Sequence, residues 1–191
     1  QGAGAVYLNV LHPDFETLLD SKKINADEKI RLTTLSIGAI IPDKFMELAE
    51  KNEKCYAFYP HSIYQKYGVH LDGIKMDEWY DKLANDDEIE KKEINPRELL
   101  TRIAQTQQES GYPYVVFIDS ANEQHTLKDV GMIKMSNLCC EIFQYQTPSD
   151  IKGYGQVSDW GQDISCNLGS LNIANVMDNK DIEKTIDVAI R

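Results

Sequence analysis

Two cysteines stand side by side in the stretch MSNLCCEIFQ, with an amide before them and a carboxylate after them. If this stretch is extended, its side chains alternate between two faces, so Asn137, Cys139 and Glu141 share one face. Leu138 and Cys140 then share the other face. A carboxylate held away from water can act as a general base, and an amide can orient a substrate hydroxyl. Cys139 is therefore a candidate reactive sulfur, Glu141 a candidate base and Asn137 a candidate substrate ligand.

The same spacing also fits an inert arrangement. Cysteine is among the residue types most often buried, so both thiols can be core side chains. In that arrangement Asn137 and Glu141 lie at the solvated end of a strand. The residue types alone leave both interpretations open.

The other two cysteines are Cys55 and Cys166. Cys166, in DISCNLGSLN, is predicted at a turn that enters a strand, where a thiol can exchange with a partner cysteine. From the residues alone, an inert thiol is the better-supported interpretation. Four cysteines in 191 residues are too few for a disulfide-stapled scaffold. No CxxC pair or zinc-finger spacing occurs, and the four histidines show no metal-binding spacing, so no metal site is predicted.

Charge and hydropathy exclude several classes of protein. The formal net charge is −11, from 20 Lys and Arg against 31 Asp and Glu. Affinity for a phosphate backbone depends on clustered Lys and Arg, so nucleic-acid binding is not expected. No apolar run approaches the roughly 18 residues that span a membrane, and the start lacks the pattern of a signal peptide. We expect no membrane partner and a cytoplasmic location.

The elements that must position the thiols alternate between strand and helix. This alternation is typical of a parallel α/β sheet or barrel, and the absence of a linker indicates one structural unit. Strands are predicted over 5–10, 33–41, 54–60, 112–119 and 135–145, and helices over 12–22, 42–52, 61–87, 95–111 and from 181.

The helix over 95–111 has the clearest boundaries. Asn95 is placed to cap it, Pro96 and Glu98 occupy the first turn, and Gly111 ends it. The acidic stretch over 85–93 is predicted as a solvated helix entry, and 147–163 as a loop.

The two thiol segments together resemble a known family. SNLCCEI followed by DISCNLGSLNIA is similar to the large, catalytic subunit of aerobic ribonucleotide reductase, most of all to the bacterial class Ib type. The resemblance extends to QGAGAVYLNVLHPD, NADEKIRLTTLSIGAIIPD, ESGYPYVVFID and TIDVAIR, and so covers essentially the whole chain. Two motifs with colinear flanks make this resemblance highly specific.

The resemblance implies a fold and a place within it. The family's catalytic domain is a ten-stranded α/β barrel with a central finger loop. Residues 1–191 would form one unit, a central segment comprising about half of that barrel, with both flanking parts absent. NLCCE would lie on the finger, and its residues 137–141 would contact the substrate. Gln1 and Gly2 would end the loop that reports effector identity to the substrate site.

The resemblance also implies a role for each matching residue. Cys139 would be the thiyl radical that takes the 3′ hydrogen of a ribonucleoside diphosphate. Glu141 would act as base on the 3′ hydroxyl, and Asn137 would hydrogen-bond the substrate hydroxyls. Cys166 would be half of the redox pair that reduces the 2′ carbon, with its partner cysteine outside this chain. Cys140 stands where Ser or Thr is more frequent in the family, and no role follows for it.

The implied partners are a separate metal-containing small subunit that supplies the radical, the rest of the large subunit, and a thioredoxin- or glutaredoxin-like reductant. Nucleoside triphosphate effectors would act on the full-length subunit, and no cofactor would bind in this segment. Because the flanks are missing, we expect this chain to be inactive alone. Two alternatives stay open: a non-catalytic module that completes a barrel with other chains, and a thiol-redox protein that works without radicals.

Overall fold

A three-stranded parallel sheet forms the centre of the fold. The computed structural model of the chain describes residues 3–178 and 181–191. Strands β1 (Ala5–Asn9), β2 (Ser36–Ile41) and β5 (Tyr114–Phe117) lie in the order β1-β2-β5, and both pairings are parallel. Every residue of β2 is buried, as expected of a central parallel strand that is covered on both faces. The predicted α/β class with a parallel sheet is confirmed, and the sheet of the described residues is open.

Helices cover this sheet, and apolar side chains from them fill the core. Leu19, Phe45 and Ile103 are buried in one cluster with Ala39 of β2. This packing follows from the helical spacing of apolar residues, which places them on the face toward the sheet. The helices are α1 (Phe15–Asp20), α2 (Asp43–Lys51), α3 (Pro60–Tyr67), α4 (Met76–Ala84), α5 (Pro96–Ser110), α6 (Ile118–Gln124), α7 (Ile173–Asp178) and α8 (Ile182–Ile190), with a 3-10 helix at Leu71–Gly73.

Helix α5 has the predicted ends. The side chain of Asn95 accepts a hydrogen bond from the amide of Glu98 at 3.1 Å, and Pro96 occupies the first helical position. Gly111 ends the helix in the left-handed conformation, with φ of 77°. Glycine adopts this conformation without the steric cost that a Cβ atom imposes.

Two short antiparallel pairs correct the sequence predictions. Strand β3 (Cys55–Phe58) pairs with β4 (Lys91–Ile94), so the end of the acidic stretch is a strand and not a helix entry. The predicted loop over 147–163 contains a hairpin of β6 (Asp150–Gly153) and β7 (Gln156–Asp159). The charged sequence KKE does not predict strand β4, because its side chains are partly or fully exposed and show no apolar alternation.

Candidate functional site

The segment that carries the adjacent cysteines is a turn and not a strand. The amide of Cys140 donates to the carbonyl oxygen of Asn137 at 3.2 Å, which closes a four-residue turn. Cys140 has φ of 64°, in the left-handed region that non-glycine residues rarely adopt. Strict alternation between two faces therefore does not apply, and the prediction of an extended segment here is wrong. The local turn overrides the apolar pattern.

The side chain of Asn137 organises the residues that follow the turn. Its Oδ1 accepts the amide of Glu141 at 3.0 Å and the amide of Ile142 at 3.1 Å. The hydroxyl of Ser136 donates to the carbonyl of Ile142 at 2.8 Å and closes the loop from the other side. Asn137 and Glu141 are thus brought together through the backbone, although not by the alternation that the sequence indicates.

The two thiol segments meet at Asn137. Its Nδ2 lies 3.8 Å from the sulfur of Cys166, 29 residues further along the chain. Cys166 lies before α7 in a stretch without helix or strand, so its predicted position at the entry to a strand is wrong. The structure nevertheless brings Cys166 into contact with the cysteine turn through Asn137.

The four thiols have different environments. Cys139 and Cys166 are exposed, and Cys140 is half-buried with its sulfur 3.7 Å from the carbonyl oxygen of Val115. Cys55 is buried in the core, and this burial raises the pKa of its thiol to about 11. A protonated, inaccessible thiol is a poor nucleophile, so Cys55 is structural. The accessible thiols are those of the two predicted segments.

Glu141 and Leu138 also lie on the exposed surface of the turn. Among the described residues, no cation forms a salt bridge with Glu141. Its carboxylate oxygens are therefore available to a ligand. Of the candidate residues 137–141, Leu138, Cys139 and Glu141 are exposed, whereas Asn137 and Cys140 are half-buried.

Sequence reasoning missed Tyr7. The hydroxyl of Tyr7, on β1, donates to the carbonyl oxygen of Asn137 at 2.7 Å. Burial and the neighbouring Cys140 thiol raise the pKa of Tyr7 well above its usual value, so the phenol stays a hydrogen-bond donor at neutral pH. Nothing in AVYLNV distinguishes Tyr7 from an ordinary strand residue, because its partner is 130 residues away.

A cavity of about 690 Å³ lies at the carboxyl ends of the parallel strands. Ligands bind at this end of the strands in many α/β proteins. Tyr7 and Met135 border the cavity beside the cysteine turn, but Asn137, Cys139 and Glu141 do not line it. The cavity is thus a neighbour of the thiol site and not its centre.

The cavity wall includes a carboxylate with a structural role. Asp119 accepts a hydrogen bond from the amide of Asp43 at 2.8 Å, at the start of α2. Burial raises the pKa of Asp119, while this hydrogen bond opposes the rise. Asp119 therefore stabilises the beginning of α2.

Within residues 3–178 and 181–191, no group of three or more His, Cys, Asp or Glu side chains is arranged to hold a metal ion. In the same residues, no helix is both long enough and apolar enough to cross a membrane. Gln1 and Gly2, the predicted remnant of an effector loop, lie outside the described residues.

Comparison with known proteins agrees with the resemblance of the two thiol segments. The chain is similar to ribonucleoside-diphosphate reductase subunit alpha of Bacillus subtilis, with 50% identity over 189 residues that cover 99% of this chain and 27% of that protein. It is 46% identical to the subunit of the same name from Mycoplasma genitalium, over 100% of this chain and 26% of that protein. The corresponding subunit of Synechocystis is 33% identical, with 24% of its length covered.

The chain spans about a quarter of the length of these curated relatives. The family described as "Ribonucleotide reductase, barrel domain" matches residues 1–191, which is the whole chain. The match agrees with the parallel sheet of the described residues. The chain therefore belongs to the ribonucleotide reductase family, as part of its barrel domain.

Proposed function

We propose that this chain is a central segment of a ribonucleoside-diphosphate reductase large subunit and carries its radical and base chemistry. The observation that supports this most is the contact between Asn137 and Cys166, because it joins the two thiol segments in one place. Cys139 and Cys166 are both accessible, while Cys55 is buried. The substrate would be a ribonucleoside diphosphate and the product its 2′-deoxy form.

Each side chain of the turn has a distinct task in this proposal. Cys139, as a thiyl radical, takes the 3′ hydrogen of the ribose and becomes a thiol. Glu141 accepts the proton of the 3′ hydroxyl, which assists loss of the 2′ hydroxyl as water. Asn137 orients the substrate hydroxyls through its side-chain amide. The exposed carboxylate of Glu141 and the exposed thiol of Cys139 are consistent with contact to a ligand.

The electrons for the reduction come from a pair of thiols. Cys166 and a cysteine outside this chain give two electrons and two protons and end as a disulfide. One proton leaves with the 2′ hydroxyl as water, and the other proton and both electrons reach the 2′ carbon. The 3′ hydrogen returns from Cys139, which regenerates the thiyl radical. A thioredoxin- or glutaredoxin-like dithiol then reduces the disulfide by exchange, for which an accessible sulfur is required. Cys166 is exposed, as such an exchange needs.

The proposed reaction requires a radical to be delivered to Cys139. We propose a separate metal-containing small subunit as its source and nucleoside triphosphates as effectors of the full-length subunit. A thiyl radical must be shielded from water and reductants, yet the cysteine turn is exposed. The rest of the large subunit would provide that cover.

Exposed apolar side chains near the end of the chain support such a covering partner. Trp160 is 80% exposed and Ile190 is 80% exposed, and Ile173 and Val188 also lie open. Large apolar side chains that are exposed in one part of a chain are typical of residues that pack against another part of a protein. We propose that these side chains contact the remaining parts of the large subunit.

A reconstitution assay tests the proposed function. This chain, joined to the flanks that its relatives have, is combined with a radical-generating small subunit, a dithiol reductant and a ribonucleoside diphosphate. We expect the 2′-deoxyribonucleoside diphosphate, measured by chromatography, and none when the small subunit is omitted. Disulfide reduction that proceeds equally without the small subunit, and with no deoxynucleotide formed, would favour a thiol-redox protein and overturn the proposal.

A further inference from the structure

The carbonyl oxygen of Asn137 accepts two hydrogen bonds from different parts of the chain. One comes from the amide of Cys140 at 3.2 Å and closes the turn. The other comes from the hydroxyl of Tyr7 at 2.7 Å. A carbonyl oxygen has two lone pairs, so both bonds form together. The bond that closes the cysteine turn and the bond that ties it to β1 therefore share one acceptor atom.

The ring of Tyr7 can reach this acceptor only because residue 38 is glycine. In the sheet, Tyr7 lies opposite Gly38, and Gly38 lies opposite Tyr114. A Cβ atom at position 38 would stand 2.2 Å from Cε1 of the Tyr7 ring, far inside van der Waals contact. The ring thus lies directly over Gly38, and any side chain at this position would push it away from Asn137.

A second contact holds the far end of the turn. The Cys140 sulfur lies 3.7 Å from the carbonyl oxygen of Val115 on β5, and the residue is half-buried. Tyr7 and Cys140 together fasten the turn to two strands of the sheet, while Cys139, the residue before Cys140, is exposed.

We infer that Tyr7 is a positioning residue, which holds the turn of Cys139 through the Asn137 carbonyl and keeps the Cys140 thiol against the sheet. This assigns a purpose to Cys140, whose sulfur is an anchor and not a second reactive thiol. The consequence for reduction of a ribonucleotide rests on the proposed function. The consequence for the accessibility of Cys139 and Cys140 does not rest on that function. It can be measured on this chain by itself.

Thiol alkylation measures the anchoring directly. The 191-residue chain and its Tyr7→Phe variant are treated with iodoacetamide, and modification of each cysteine is followed by mass spectrometry. Without the hydroxyl, the turn opens more often, and we expect the alkylation rate of Cys140 to rise about fivefold, the change that one typical hydrogen bond supports in an opening equilibrium. Cys139 is already exposed and should change little. Tyr154→Phe, which alters a fully exposed tyrosine, is the matched control.

A Gly38→Ala variant removes the same contact while leaving the Tyr7 hydroxyl in place. We expect it to raise Cys140 alkylation as Tyr7→Phe does, and the double variant should add nothing further, because both changes break one interaction. Cys55 reports the fold in every sample, since it reacts only if the core opens. If Cys55 becomes alkylated in Gly38→Ala, the core of that variant has opened, and the inference is then tested by Tyr7→Phe alone. A Cys140 rate in Tyr7→Phe equal to that of the unmodified chain overturns the inference.

The full-length subunit adds a second readout. Tyr7→Phe should lower kcat for deoxynucleotide formation by about tenfold with KM unchanged, because a displaced turn misplaces the Cys139 thiol without removing a substrate contact. The two failures are distinguishable. An inactive unmodified reductase would contradict the proposed function but leave the alkylation result standing, whereas unchanged Cys140 alkylation contradicts the positioning inference at any level of activity.

Discussion

The side-chain amide of Asn137 lies 3.8 Å from the sulfur of Cys166. The same side chain, through Oδ1, accepts the amides of Glu141 and Ile142. One residue therefore joins the cysteine turn, the candidate base and the second thiol segment. Substitutions at Asn137 can therefore separate the effect of its Oδ1 acceptor from that of its Nδ2 donor.

Asn137→Ala should loosen the turn, because it removes the acceptor of two backbone amides. Each such hydrogen bond contributes about 0.5–1.5 kcal/mol net, and partial exposure places these at the low end, so we expect a loss of about 1 kcal/mol. Urea unfolding of the chain gives the free energy, and hydrogen exchange of the Glu141 and Ile142 amides locates the change. Asn137→Asp keeps the acceptor and loses the donor toward Cys166, so it should preserve amide protection. Equal exchange rates in Asn137→Ala and the unmodified chain would contradict this account of the turn.

Cys166→Ser should stop repeated turnover in the reconstituted full-length subunit, since the proposed disulfide cannot form or be re-reduced. The measurement is deoxynucleotide produced per subunit in the presence of excess dithiol reductant. Cys55→Ala is the matched control, because that thiol is buried and takes no part in the proposed reaction. Many turnovers by Cys166→Ser with the same reductant would show that the Cys166 thiol is not needed for the reaction.

Cys55 should make stability fall at alkaline pH. Burial raises the pKa of its thiol from 9.0 to about 11, so the folded state keeps a proton that the unfolded state loses. The stabilisation is complete below pH 9 and is lost as the pH rises toward 11, by up to about 2 kcal/mol. Urea unfolding at pH 8 and pH 10.5 should show a steeper loss for the unmodified chain than for Cys55→Ala, which lacks this group. Parallel losses in the two proteins would show that Cys55 does not titrate in this way.

Glu16 should make the stability of the fold decrease at acidic pH. The Lys92 ammonium, 2.6 Å away, and the Arg102 guanidinium lower the pKa of Glu16 below its ordinary value of 4.5. A lowered pKa means that the stabilisation is present above pH 4.5 and is lost as the pH falls through the folded-state value.

Because the side chains are partly exposed, Glu16→Gln should cost only about 0.5–1 kcal/mol at pH 7, and less near pH 3. Thermal or urea unfolding at both pH values measures the difference. Glu28→Gln, which changes an exposed carboxylate in a loop, is the control. A cost that stays the same at pH 3 would show that the charge of Glu16 is not what stabilises α1 against β4 and α5.

Local patterns predicted the parts of the fold that depend on neighbouring residues. The cap at Asn95, the stop at Gly111 and the buried strand β2 all follow from residue types within a few positions. The candidate residues Asn137, Cys139 and Glu141 were identified from their types and spacing, and the contact of Asn137 with Cys166 agrees with the family resemblance. Their roles in catalysis stay predictions.

The relationships that sequence reasoning missed depend on contacts distant in the chain or on backbone geometry. The turn at Cys140 lacks glycine and proline, so nothing in NLCC indicates a left-handed residue. The bond from Tyr7 to Asn137 joins residues 130 positions apart, and its need for Gly38 emerges only from the strand register. Strand β4 forms because it pairs with β3, although its own side chains are largely charged.

The central claim is that Cys139, and not its neighbour Cys140, carries the radical. Deoxynucleotide formation by the full-length subunit with its small subunit, compared between Cys139→Ser and Cys140→Ser, tests it most directly. Cys140 anchors the turn through a long sulfur contact to Val115, so its serine variant should retain measurable activity. We predict no deoxynucleotide above background from Cys139→Ser. Product formed by Cys139→Ser, or its complete loss in Cys140→Ser alone, would contradict the account.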